Sequence, residues 1–533
     1  MTWLIIIYDT YPLKYFLKNK CLIFSTLHLT ATLYIRQTHL ALLYYLYPLI
    51  SYMKPLCFLK FLYPARNLLL IIITASLFNS CKKTITVNPP VDPNPPADTV
   101  LQLFQLTDFP QLTLEVSPEQ WNTLLSNFDI NQMNEEYIVS KYRFVLGGKD
   151  ISLDSMGIRI RGNTSRRRPE GSNGQLHNAQ NPDWHHAHFT LNFAKYRKTQ
   201  RFNGLEKINL KWFKDDANYV REIYCYDLFK RYGVWTAPKA SYCRLTINIT
   251  GDPRPAYFGV YSMIESIDED YLVNRKSNWG ADTGFLWKGG WAGSLNANLV
   301  QTTSIGVEDV KLDPTKSKYY AYDLKTRKKE LTDAKAQMIN FIQELNTKTG
   351  AEFEQWIAQK MDVPLFLKTY AVNVMVGMWD DYWVNGNNYY FYFSNNGKAW
   401  FIPYDYDNTL GTSYFINAGT QDLLQWGNMT ERPLITKILQ IDSYRNLYKS
   451  YLKELASSSQ PYFNYTSSLQ RINLWQQLVA NFVSNDTGED MMIEDKPAQW
   501  GNILLYRLKS GNDLGGTNGE ANFFTTKIKQ ITW

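Results

Sequence analysis

A hairpin signature between residues 389 and 404 dictates more of this chain's architecture than any other segment. Two aromatic, apolar runs, Tyr389–Phe393 and Lys398–Tyr404, are joined by Asn395-Asn396-Gly397. Asn-Gly supplies the positive φ that tight hairpin turns require. In an antiparallel hairpin the start of the first strand lies beside the end of the second. The polar loop Asp380–Asn388 precedes the first run and Asp405-Tyr406-Asp407-Asn408 follows the second. The pattern therefore predicts that these two segments meet at one open end. Together they offer carboxylates and amides, oxygen donors that suit Mg²⁺ or Mn²⁺, with no Cys or His to suggest zinc.

The spacing within the loop carries chemistry. Asp380 is followed five residues later by Asn385, the separation found in kinase catalytic loops, where an Asp takes the substrate hydroxyl proton and an Asn binds metal. Asp405, arriving after the hairpin, takes the place of the kinase metal-binding Asp. Upstream, the strand Lys207–Lys211 alternates, with Ile208 and Leu210 facing one way and Lys207, Asn209 and Lys211 the other. Either Lys207 or Lys211 is placed to reach phosphates and to pair with Glu222 on the following helix. Arg159, Arg161 and Asn163 lead from a strand into a Gly/Thr/Ser turn, a phosphate-cradling loop with no P-loop or Gly-x-Gly-x-x-Gly pattern.

At 533 residues the chain exceeds what one compact core organises. Strand-like runs at Leu112–Val116 and Tyr142–Val145, with a short helix after Ser117-Pro118, predict a small β-rich lead-in over 101–154. Further strands are expected at Gly157–Arg161, His188–Phe193, Lys207–Lys211, Tyr242–Ile249 and Tyr257–Glu265, with a helix at Tyr219–Tyr232 closed by Gly233. Beyond Thr332 the pattern turns helical, through Ala334–Thr347, Ala351–Gln359 and Pro364–Met378. A β-rich part followed by a helix-rich part predicts an α+β, two-lobed domain with a cleft between the lobes.

The ends of the chain read differently. Residues 53–81 have the grammar of a bacterial export signal, with Lys54, Lys60 and Arg66 before the apolar run Leu68–Phe78. The run ends at Asn79-Ser80-Cys81, a lipobox-like sequence with Phe78 where Leu is usual, so Cys81 is the expected lipidation site. Met53 reads as the start of the exported precursor and residues 1–52 as an extra or spurious extension. Residues 82–100, rich in Pro, predict an extended tether. The protein is thus expected in the cell envelope, lipid-anchored to a membrane. Residues 1–80 hold seven of the 56 basic and one of the 49 acidic residues, leaving 49 basic and 48 acidic. The remainder is near neutral and lacks the clustered basic face that nucleic acid requires, so no nucleic-acid partner is expected. Two of the five cysteines, Cys225 and Cys243, fall in the body. They read as buried thiols rather than a disulfide framework.

Six ordered blocks resemble the CotH kinase family. They are Gly157–Ser165, Phe202–Leu210, Arg221-Glu222 with Tyr226–Phe229, Gly259–Glu265 with Asp268, Trp379–Tyr390, and Phe401–Gly411. The resemblance covers roughly residues 155–414 and implies an atypical protein-kinase-like fold over 155–533. It also implies ATP with Mg²⁺ or Mn²⁺ as cofactors, and phosphorylation of a secreted or surface protein. On it, Asp380 and Asp381 are the catalytic residues, and Asn385, Asn388, Asp405 and Asp407 hold the metal. Arg159, Arg161, Asn163, Lys207, Lys211, Glu222 and Glu265 contact the nucleotide. Two other readings fit the same residues: a degenerate surface protein that binds a glycan or protein without turnover, and a phosphotransferase acting on a polysaccharide.

Overall fold

The computed structural model describes residues 103–533 apart from 215, 217, 281–282, 413–415 and 484–522. The expected extension over 1–52, the export signal with Cys81 and the Pro-rich tether lie outside these residues. The fold is α+β.

Seven strands close into a barrel in the order β1-β2-β3-β4-β5-β7-β6. They are β1 (Gln111–Val116), β2 (Ile138–Leu146), β3 (Lys149–Arg161), β4 (His188–Asn192), β5 (Lys207–Lys211), β6 (Ala240–Ile249) and β7 (Ala256–Glu265). The period-2 pattern explains the wall. In β1, Leu112, Leu114 and Val116 are buried while Gln111 and Glu115 are not fully so. Six of the pairings are antiparallel, and β1 closes the ring by lying parallel to β6, Leu114 beside Ile247. Leu112, Tyr142, Ile158, Phe189, Leu210, Leu245 and Phe258 fill the interior. Helix α1 (Pro118–Ile130) begins with Ser117 Oγ accepting from the Gln120 amide and buries Trp121 against the barrel cluster. The strands expected as a separate lead-in are therefore barrel staves, and the boundary expected at 154/155 falls inside β3. Alternating burial marks each strand but says nothing about which distant strand it pairs with.

Helix α2 (Arg221–Arg231) follows β5, and its end is turned by Gly233 at φ +77°. A second sheet has the order β11-β12-β8-β13-β14, built from β8 (Phe285–Gly289), β11 (Ile305–Gly306), β12 (Tyr322–Leu324), β13 (Tyr389–Phe393) and β14 (Ala399–Pro403). A small ribbon, β9 (Trp291–Ala292) with β10 (Leu295–Asn296), lies between β8 and β11 in sequence. The expected hairpin is β13–β14, with Tyr389 opposite Pro403 and Phe393 opposite Ala399. Helices α3 (Leu331–Thr347), α4 (Gly350–Lys360) and α5 (Val363–Met375) match the predicted run. α5 stops three residues before the expected Met378, because Gly377 takes φ +68°. α5 is buried nearly all round, with Phe366 against Phe401 of β14 at 5.5 Å between ring centroids. Helices α6 (Pro433–Gln440), α7 (Asp442–Ala456) and α8 (Tyr465–Val483) complete this core, with a short helix over Phe523–Ile528. Cys225 and Cys243 are buried free thiols. Among the described residues no helix is long and apolar enough to cross a membrane.

Candidate active site

The hairpin register delivers the predicted juxtaposition. Because Tyr389 faces Pro403, the loop before β13 and the segment after β14 emerge together. Asp380 and Asp405 lie close enough that the charge on Asp405 disfavours ionisation of Asp380.

The segment 405–409 is laid along one face of α2. Glu222, Cys225, Tyr226 and Phe229 recur at helical spacing and each meets it or its lysine. Tyr226 Oη accepts from the Asp405 amide at 3.0 Å. Cys225 Sγ donates to Thr409 Oγ1 at 3.4 Å, and Phe229 packs edge-on against Tyr406 with centroids 4.9 Å apart. Glu222 reaches Lys211 of β5, Oε2 to Nζ 2.9 Å. Lys211 in turn ion-pairs with Asp405, and with Asp407 Oδ2 at 3.1 Å. The choice between two lysines is thereby resolved. Lys207, at the far end of β5, pairs instead with Glu206 at 2.7 Å and lies 3.7 Å from Asp268.

Three carboxylates thus share one ammonium, and they do not share it equally. Burial would lower the Lys211 ammonium, yet Asp405, Asp407 and Glu222 hold it charged. Burial would raise Asp405, but Lys211 and, more weakly, Arg161 and Lys288 keep it below the usual carboxylate range. Glu222 is pushed up to about 7 and Asp407 to about 6, each by burial first, against the pull of Lys211. Asp405 sits at φ +68°, a conformation Asp and Asn tolerate better than most residues.

The loop is built around two adjacent aspartates with opposite roles. Asp380 accepts from Asn385 Nδ2 at 2.7 Å, Asn387 Nδ2 at 3.0 Å and Asn388 Nδ2 at 3.1 Å. Burial raises its pKa, while the Asn385 and Asn387 amides pull it back. Asp381 is buried and turned inward, accepting from Asn373 Nδ2 at 2.6 Å and the Val384 amide at 2.8 Å. Its backbone carbonyl accepts from the Asn385 and Gly386 amides at 3.0 and 2.8 Å. Asp381 therefore shapes the turn from behind, a position given by local hydrogen-bonding geometry that spacing alone does not reveal. Arg432, 48 residues downstream, clamps the same turn from outside through Val384 O at 2.8 Å.

The remaining predicted residues divide. Arg161 Nη2 donates to Tyr404 Oη at 2.5 Å, which places it next to Asp405. Arg159 ion-pairs with Glu135 at 3.1 Å and lies over the Tyr137 ring. Asn163 is exposed. Both Glu265 oxygens are engaged by Arg275, at 2.9 and 2.7 Å. Among the described residues none of Arg159, Asn163, Lys207 or Glu265 hydrogen-bonds or ion-pairs with Lys211, Asp380, Asp405 or Asp407. Residues that sequence reading passed over include Asn387, Tyr226, Tyr404, Asn373 and Lys288. Asn387 was detectable, since it stands in the same polar loop. The others lie inside apolar strands or helices that read as core.

Among the described residues no three His, Cys, Asp or Glu side chains form a ready metal cage. The donor set nevertheless suits a hard cation. It is all oxygen, and Asn387 Oδ1 is buried with no hydrogen-bond partner among the described residues. Mg²⁺ commonly takes only one or two carboxylates, the rest coming from phosphate and water.

The family model described as CotH kinase protein matches residues 158–504. The chain is also 26% identical over 271 residues to the inner spore coat protein H of Bacillus subtilis (strain 168), an alignment covering 49% of this chain and 66% of that protein. The chain thus spans just under two thirds of that relative's length.

Proposed function

We propose that this chain, which belongs to the CotH kinase protein family, is a phosphotransferase that moves a phosphoryl group from ATP to a hydroxyl of a secreted or surface protein. The observation that carries this reading is the meeting of Lys211, Glu222, Asp405 and Asp407 with Asp380 at the open end of one hairpin. A lysine held by a helix glutamate, next to a base and metal-binding carboxylates, is the set that phosphoryl transfer uses for positioning and charge neutralisation. A two-lobed, kinase-like arrangement belongs to the same proposal.

In this reading Asp405 and Asp407, with Asn385 and Asn388, hold Mg²⁺ or Mn²⁺, which neutralises charge on the donor's phosphates. Asp380 orients the acceptor hydroxyl and takes its proton as the oxygen bonds to phosphorus and the bond to the departing ADP breaks. The Asn385, Asn387 and Asn388 amides fix the direction in which the Asp380 carboxylate points. Asp381 is a positioning residue. The acceptor's location rests on the export signal and Cys81, which would tether the domain to a membrane.

The test is calorimetric titration of the full chain with ATP, with and without Mg²⁺ or Mn²⁺. Metal-dependent binding that Asp405→Asn weakens supports the reading. Metal-independent binding, or none, favours a degenerate surface protein that binds without turnover.

A further inference from the structure

The ammonium expected to meet phosphate has no donor left for it. Lysine offers three N–H donors, and those of Lys211 are engaged by Glu222, Asp405 and Asp407. Two other cations stand beside Asp405 without such commitments, and both meet Tyr404, the residue immediately before it. Arg161 touches the Tyr404 hydroxyl at 2.5 Å. Lys288, on β8 and paired in register with Tyr390, has its ammonium 5.7 Å from the Tyr404 ring centroid. The Lys288 ammonium makes no hydrogen bond or ion pair with another described residue, and Arg161 has no carboxylate within ion-pair distance among them. Both are near enough to Asp405 to help keep its carboxyl ionised.

A half-buried lysine that feels the carboxylates of Asp405, Glu135 and Glu308 but has none of them within ion-pair distance is an incomplete arrangement. Its direct contact is with the Tyr404 ring, and the carboxylates act on it from a distance. Charge-assisted hydrogen bonds to phosphate oxygens are the strong way to complete it, and an arginine fork beside it supplies the matching geometry.

We propose that Lys288 and Arg161, flanking Tyr404, form the seat for a phosphate group of the donor, with Lys211 serving to hold the carboxylates in place. This rests on the phosphotransferase reading for the identity of the anion, though not for the existence of the seat. Lys288 lies on a strand that sequence analysis gave no functional role, and the seat makes it a specificity residue for polyphosphate over nucleoside.

The experiment titrates the full chain with tripolyphosphate, ATP and adenosine in the presence of Mg²⁺, for wild type, Lys288→Met and Lys288→Arg. Loss of a charged hydrogen bond predicts a weakening of about ten- to a hundredfold for tripolyphosphate and ATP in Lys288→Met. Adenosine binding should be unchanged, and Lys288→Arg should recover most of the affinity. Because Lys288 has no ion partner to lose, the thermal midpoint of Lys288→Met should stay within about 3 °C of wild type. Wild-type affinity of Lys288→Met for both phosphates overturns the seat, even if ATP binding and transfer are intact. A Lys288-dependent tripolyphosphate affinity in a protein that transfers nothing keeps the seat and removes the phosphotransferase reading.

Discussion

Lys211 Nζ stands 2.9 Å from Glu222 Oε2, joining the last residue of a barrel strand to the second residue of the following helix, both side chains almost fully buried. The pair is the hinge of the site, because the same ammonium also gathers Asp405 and Asp407. Removing one member of such a buried group leaves uncompensated charge, at a cost of about 3–5 kcal/mol. Lys211→Met should therefore lower unfolding free energy by that order and abolish tight nucleotide binding. Glu222→Gln should weaken binding with a smaller loss of stability, since Lys211 keeps two carboxylates. Lys207→Met should leave nucleotide affinity unchanged. Denaturant unfolding and ATP titration of the three variants check this, and an equal loss of affinity in Lys207→Met and Lys211→Met contradicts it.

The two loop aspartates should part company on substitution. Asp381→Ala strands the buried Asn373 amide and the Val384 N–H, which predicts a loss of roughly 2–4 kcal/mol in unfolding free energy. Asp380→Asn keeps the shape of a half-buried side chain but gives up one acceptor for the surrounding asparagine amides, so its cost should be about 1 kcal/mol, smaller than that of Asp381→Ala. The reverse order in urea unfolding would show that the inward and outward assignments are exchanged.

Stability should fall as pH rises from about 5 to 8. Burial pushes Asp268, Glu308 and Asp381 up to about 7. A carboxyl whose pKa is higher folded than unfolded binds more protons in the folded state between the two values. Its contribution is thus present at the acid side of that window and lost through about pH 7. His177, held between Glu170 and Asp252 at 3.0 and 2.9 Å, has its pKa raised by those carboxylates against the opposing effect of burial, and its stabilisation is likewise lost as pH rises. Two groups oppose this. His188, which burial first and then Lys211 and Arg161 hold well below its usual range, adds a smaller rise in stability up to about its free value. Glu135 acts only at strongly acid pH, since burial alone would raise it but Arg159 and neighbouring cations hold it at about 2. A thermal midpoint that is flat or rising from pH 5 to 8 would contradict these assignments.

Cutting the chain before Ser155 should prevent folding. Such a fragment loses β1, β2 and the start of β3 and leaves β6 without its parallel partner, exposing sheet edges and the barrel core. A fragment beginning near residue 101 should give a cooperative thermal transition, whereas one beginning at Ser155 should aggregate. A cooperative transition in the shorter fragment would restore the lead-in as a separate unit.

The legibility of the site follows from locality. The β13–β14 hairpin, its Asn-Gly turn and the meeting of Asp380 with Asp405 were readable because a hairpin's partners are fixed by short-range signals. β5 and its alternation were readable for the same reason, and they narrowed the glutamate's partner to two lysines at opposite ends of one strand. Only the three-dimensional course of α2 chose Lys211. The barrel was not readable, since Leu114 alternates correctly but its pairing with Ile247 spans the whole sheet. Nor was the inward turn of Asp381, which depends on Asn373 and on Arg432 from a distant helix start. Lys288 lay hidden in an apolar strand whose neighbours read as core.

The most direct measurement follows labelled phosphate from ATP, with Mn²⁺ or Mg²⁺, into the protein itself and into added acceptor proteins, comparing wild type with Asp380→Asn and Asp405→Asn. Asp405→Asn keeps the left-handed backbone that residue needs, so its effect should report lost metal binding rather than misfolding, and Mg²⁺-ATP stabilisation should fall with the affinity. Asp380→Asn should retain that stabilisation while losing transfer, since the role proposed for it is with the acceptor hydroxyl. The account predicts metal-dependent incorporation by wild type alone. Absence of both incorporation and metal-dependent nucleotide stabilisation in wild type, across several donors, would contradict it.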